Sequence, residues 1–101
     1  MTDLEITKLC AEAMGLTLGQ SEGCGKYSTG VMCYAECAYI LYDPLHDDAQ
    51  AMVLVKRQGL HIVWQPMCPD TWKVDDTTHV AADKDLNRAI CECVAKMQAA
   101  K

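Results

Sequence analysis

Tyr42-Asp43-Pro44-Leu45-His46-Asp47-Asp48-Ala49-Gln50-Ala51, running on into Met52-Val53-Leu54-Val55, decides how this chain is built. Pro44 has no N–H to give a ladder and pushes Asp43 toward extended backbone, so a strand must end here. Asp47 and Asp48 then fall in the first turn of a helix, where the dipole favours each acid by roughly 0.3–1 kcal/mol. The helix is expected to reach about Gln58, with Ala51, Met52, Leu54 and Val55 turned inward. Lys56 and Arg57 suit its C-terminal end and Gly59 stops it.

Downstream, Leu60 to Gln65 alternates: Leu60, Ile62 and Trp64 share one face and His61, Val63 and Gln65 the other, the signature of a strand. Pro66 and Pro69-Asp70 form a loop. Trp72 and Val74 alternate with Lys73 and Asp75 in a second strand, Asp75-Asp76 turns the chain, and Thr78 to Ala81 can pair back. A final helix is predicted over about Lys84 to Ala99, capped by Asp83, with Leu86, Ala89, Ile90, Cys93, Val94 and Met97 as its apolar stripe.

Upstream, Thr2 and Glu5 make a capping box for a helix from about Asp3 to Met14, ended by Gly15. Its apolar face is Ile6, Leu9, Cys10, Ala13 and Met14. Leu16 to Gly30 holds Gly19, Gly23, Gly25 and Gly30 and reads as a loop, with or without a short strand. Val31 to Tyr42 reads as one or two strands, with Glu36 at a turn or a solvent-facing position. Helical stripes and alternating strands must bury against each other. The expected fold is therefore α+β: one domain spanning 1–101, with a small antiparallel or mixed sheet covered by three amphipathic helices, sandwich-like.

Composition narrows function. Half of the 101 residues are apolar, and 14 acidic against 9 basic residues give a net charge of −5. Lys and Arg are scattered, which speaks against a nucleic-acid surface. Met1-Thr2-Asp3-Leu4-Glu5 puts acids where a secretory signal carries positive charge, and no apolar run approaches the ~18 residues of a membrane span. A cytoplasmic setting is expected. The seven cysteines, at 10, 24, 33, 37, 68, 91 and 93, then read as reduced thiols acting as small buried hydrophobes. The alternative is zinc held by Cys24, Cys33, Cys37 and Cys68. Of these, Cys33-x3-Cys37 alone has ligand spacing, and its partner pair is missing.

Three blocks carry a resemblance. Ala11-Glu12-Ala13-Met14-Gly15-Leu16, Tyr42-Asp43-Pro44-Leu45 with Asp47-Asp48-Ala49-Gln50-Ala51, and Asp85-Leu86-Asn87-Arg88-Ala89-Ile90 resemble the phage α/β/α sandwich family, short proteins of bacteriophages and prophages. The resemblance covers most of the chain and implies a sheet between helices and life in a host cytoplasm. It brings no catalytic residues. His46 stands where the family block more often has Thr, and the Cys-rich stretch from Cys24 to Cys37 is peculiar to this chain.

Chemistry sought from the residues themselves gives little. Gly23-x-Gly25 lacks the spacing and the Lys-Ser/Thr ending of a phosphate loop, and no serine-hydrolase elbow or zinc-protease helix motif is present. His46, His61 and His79 stand alone in sequence. No catalytic residue and no cofactor are expected. The leading expectation is a non-enzymatic phage accessory protein binding a host protein, to blunt an antiviral defence or redirect host machinery. Its contacts are expected from Tyr27, Tyr34, Tyr42, Trp64 and Trp72, with the Gly- and Cys-rich segment from Gly19 to Cys37 taking part. Two alternatives stay open: a nucleotide-signal binder stacking a base on Tyr42, Trp64 or Trp72, and a zinc-stabilised adaptor. A homo-oligomer stays open as well.

Overall fold

The computed structural model describes residues 1–22, 31–35, 38–66 and 70–101. Among the described residues three helices form, each started by a side-chain cap. In α1 (Asp3–Ala13) the Thr2 hydroxyl accepts the Glu5 N–H at 3.2 Å, while Asp3 and Glu5 sit in the first turn. Gly15, at φ +73°, turns the chain out. The Leu16 N–H then returns to the Ala11 carbonyl and that of Gly15 to Glu12, each at 3.0 Å. This Schellman pattern satisfies the last carbonyls of the helix.

Helix α2 (Asp48–Gln58) is capped by Asp47, whose carboxylate accepts the Gln50 N–H at 3.0 Å, and ends at Gly59 in left-handed conformation. Asp47 is thus the cap itself and not a first-turn residue. Helix α3 (Leu86–Ala99) starts later than Lys84, because Asp85 and not Asp83 supplies the cap, accepting the Asn87 N–H at 3.0 Å. The Asp83 carboxylate accepts the Asp85 N–H instead, fixing the approach to the helix.

The fold is α+β, but among the described residues the strands form two antiparallel sheets and not one. The first sheet runs in the order β1 (Thr17–Glu22), β2 (Val31–Ala35), β3 (Ala38–Tyr42); the second is β4 (His61–Gln65), β5 (Thr71–Asp75), β6 (Val80–Asp83). Both are meanders. Glu36, the expected turn or solvent position, lies outside the described residues between Ala35 and Ala38, which pair across β2 and β3.

Gln50 gives one reason the sheets do not merge. Its side-chain amide donates to the Leu41 carbonyl at 3.0 Å and accepts the Asp43 N–H at 2.7 Å. The amide thereby occupies two ladder positions on the free side of β3, in the place a neighbouring strand's peptide would take.

Helix α3 is the centre of the molecule, packing on α1, α2, β5 and β6. Its buried positions are Ala89, Ile90, Cys91, Cys93, Val94 and Ala95, mostly small, which lets neighbours approach on several sides. Ile6, Cys10 and Ala11 from α1, Ala51 and Leu54 from α2, Val74 and Ala81 from the second sheet, and Cys33, Tyr42, Leu45 and Leu60 join it in the core. Met52, expected inward, is 40% exposed. It lies off the stripe set by Ala51 and Leu54, and a narrow helix face is enough to dock on α3.

Candidate partner-binding surface

The second sheet presents one covered and one open face. Alternation puts Ile62, Trp64, Trp72, Val74 and Ala81 on the same side, with Ile62 opposite Val74, Val74 opposite Ala81, and Trp64 opposite Trp72. Val74 and Ala81 are buried, and Ile62 and Trp72 pack against the core. Toward the far end of the hairpin this apolar face runs out beyond its cover. Trp64 is 44% exposed, its ring 4.8 Å from that of Trp72 at 52°. Tilted rings at this separation attract beyond their area, so Trp72 holds Trp64 in place at the surface. On the opposite face, Val63 and Val80 are 48% and 47% exposed.

The four sheet edges differ. β1 meets β2 with a register irregularity between Leu18 and Glu22. The β3 edge carries the Gln50 amide. On β6, the Val80 carbonyl accepts from Lys96 Nζ at 2.8 Å. Among the described residues β4 has β5 on one side alone, and its pairing runs without a shift from His61–Asp75 to Gln65–Thr71.

A second polar region lies where β3 passes into α2. Pro44 and Leu45 are buried, and His46 N–H closes a turn onto the Asp43 carbonyl at 3.0 Å. The Asp43 carboxylate is almost fully enclosed and meets His46 Nδ1 at 3.1 Å. Asn87 donates to Asp48 at 2.7 Å from the first turn of α3, and Arg88 reaches Asp3 of α1 at 2.8 Å. All these groups are engaged with one another as a structural junction, and the acids at the start of α2 oppose an anionic ligand there.

Behind the junction Tyr42 is 4% exposed, so it is a core residue and not the surface contact expected of it. The cause is its place at the end of β3, against the Pro44 turn and beside Cys10, Cys91 and Cys33. Burial and these thiols push its phenol well above the ordinary range. Its hydroxyl has no hydrogen-bond partner among the described residues.

The thiols point the same way. Cys10, Cys33, Cys91 and Cys93 are free and buried. Hydrogen bonding with Cys10, then burial, push the Cys91 thiol far up, and burial first pushes Cys93 up to about 11. A nucleophilic cysteine needs the reverse shift. Of the zinc ligands considered, Cys24, Cys37 and Cys68 lie outside the described residues, and Cys33 is a core residue. Among the described residues no cluster of three or more His, Cys, Asp or Glu side chains is placed to hold a metal.

The structure therefore brings Trp64 and Trp72 together at a surface and withdraws Tyr42. Tyr27 lies outside the described residues, as do most positions between Gly19 and Cys37. Tyr34 belongs to β2, paired with Thr17 and Tyr39, and its side chain falls outside them too. The alternation set Val63 with His61 and Gln65 on one strand face, and it is exposed there; that it could take part in a contact went unread. Two surface pockets, about 120 Å³ beside Met1, Ile6 and Lys96 and about 280 Å³ over the β5–β6 turn, are smaller than the roughly 300–1,000 Å³ of typical ligand sites. No helix among the described residues is long and apolar enough to cross a membrane. No family model matches this chain, and neither a curated protein nor a solved structure matches it.

Proposed function

We propose that this chain is a non-enzymatic phage accessory protein that binds a host protein in the host cytoplasm, to blunt an antiviral defence or redirect host machinery. The observation that carries the binding reading is Trp64, 44% exposed yet braced by Trp72 at 4.8 Å. A half-exposed tryptophan packed on a second ring beside apolar neighbours is the kind of anchor that dominates protein interfaces. The raised thiols of Cys33, Cys91 and Cys93 speak for binding over covalent catalysis at those positions. The phage setting rests on the resemblance of the three sequence blocks.

The test is affinity capture from bacterial lysate with the wild-type chain and Trp64→Ala, followed by reconstitution from purified components. A host protein that binds the purified wild type and loses most of its affinity for Trp64→Ala supports the proposal. Failure to reconstitute, or binding indifferent to Trp64→Ala, overturns it.

A further inference from the structure

We infer that a second copy of this chain pairs with β4, edge to edge and antiparallel, about a two-fold axis through Val63. The β4–β5–β6 sheets of the two copies would then run on as a single one.

The contrast among the edges carries the inference. Proteins blunt exposed strand edges with bulges, charges or a covering group, because an open ladder recruits other strands. Three of the four edges here carry such a device: the irregular register of β1, the Gln50 amide on β3, and Lys96 on the Val80 carbonyl of β6. β4 carries none. Its residues, His61-Ile62-Val63-Trp64-Gln65, include no Lys, Arg, Asp, Glu or Pro, and its register is regular throughout.

The same strand is self-complementary. A two-fold contact requires that residue i meets j while j meets i. With Val63 on the axis, Ile62 of one copy lies opposite Trp64 of the other, and His61 opposite Gln65. All five strand positions are used, and Pro66 falls just beyond the ladder, where its missing N–H costs nothing. On the Trp face the row Val74, Ile62, then Trp64 and Trp72 of the second copy crosses the junction unbroken, an aliphatic–aromatic pairing that sheets favour. Charge selects this contact as well. Copies of a chain with net charge −5 repel one another, and a strand without charge brings no like charges face to face.

The inference is tested apart from the host-binding proposal, at Val63, which stands on the face opposite Trp64. Val63 is 48% exposed, so polar replacements there leave the monomer core intact. Sedimentation equilibrium is run on wild type, Val63→Lys, Val63→Glu, and an equimolar mixture of the two variants. The wild type is expected at twice the 11.1 kDa chain mass. Each variant alone is expected as monomer, because like charges meet on the axis, and the mixture as dimer, because opposite charges meet there. A monomeric wild type at the highest soluble concentration overturns the inference. So does a dimer that both variants retain, or a mixture that stays monomeric.

Discussion

The Asn87 side-chain amide donates to the Asp48 carboxylate at 2.7 Å, tying the first turn of α3 to the first turn of α2. The two residues are 39 positions apart. Asp48 thus serves its own helix dipole and an interhelical bond together. Its neighbour Asp47 caps α2, and Asn87 also gives its backbone N–H to the Asp85 cap of α3.

Because the Asp48–Asn87 pair is solvent-exposed, its worth is modest. Asp48→Ala and Asn87→Ala are each expected to cost about 0.5–1 kcal/mol, with a coupling of about 0.5 kcal/mol in a double-mutant cycle. Urea denaturation of the four chains measures it. Additive losses would mean that the bond contributes nothing in solution.

Gln50 has more at stake, since the Asp43 N–H it receives is partly buried. Gln50→Ala is expected to cost about 1–3 kcal/mol, the range for an abandoned buried donor. Gln50→Glu keeps the acceptor for Asp43 and loses the donor to Leu41, so its cost is expected to be smaller. A Glu variant as unstable as the Ala variant would argue against the edge-capping role.

Thr77 adopts φ +79° in the β5–β6 turn, a left-handed conformation that a β-branched residue enters at a cost. The Asp75 carboxylate accepts its N–H at 3.2 Å and holds it there. Thr77→Gly is expected to raise stability by about 0.5–1 kcal/mol, visible as a higher thermal midpoint. A lower midpoint would show that the threonine side chain contributes more than its backbone strain.

The junction at Tyr42 to Ala51 was legible because its signals are local. A proline that ends a strand, acids at a helix start and a glycine at its stop act within a few residues of themselves. The same holds for the strand alternation from His61 to Asp75 and for the stripe of α3. The division into two sheets was not legible, since it depends on Gln50 reaching across to Leu41 and Asp43, and on which strands meet in space. Tyr42 misled for a related reason. A tyrosine's polar tip argues for a wet position, yet the Pro44 turn folds this one against three thiols. Trp64 and Trp72 were named as contacts singly; their pairing required the register of β4 on β5.

Asp76 gives the turn an acid dependence. Its carboxylate accepts the N–H of His79 first and of Thr78 next, which holds it below the ordinary 3.8. A lowered folded value contributes stability that is fully present above the unfolded value and lost as pH falls through the folded one. Asp76→Asn keeps the acceptor and loses the charge. The gap in urea midpoint between wild type and variant is expected to shrink as pH falls from about 5 to about 3. A gap that stays constant would detach the effect from this carboxylate.

The thiols impose the opposite limit. Burial raises Cys33 and is the first cause that pushes Cys93 from the ordinary 9.0 up to about 11, with the Asp76 and Asp75 charges adding to it. A thiol whose folded value is raised contributes stability that is whole below the unfolded value and lost as pH climbs through the folded one. Stability is therefore expected to decline between 9.0 and about 11 for Cys93, and Cys93→Ala to decline less steeply over the same window, whatever its cavity costs at neutral pH. The same shifts deny the core a reactive thiolate. Brief alkylation followed by peptide mapping should leave Cys10, Cys33, Cys91 and Cys93 unmodified in the native protein, while denaturant exposes all seven cysteines of the chain. Rapid native labelling of Cys91 or Cys93 would mean that α3 opens readily, and would return a nucleophilic cysteine to consideration.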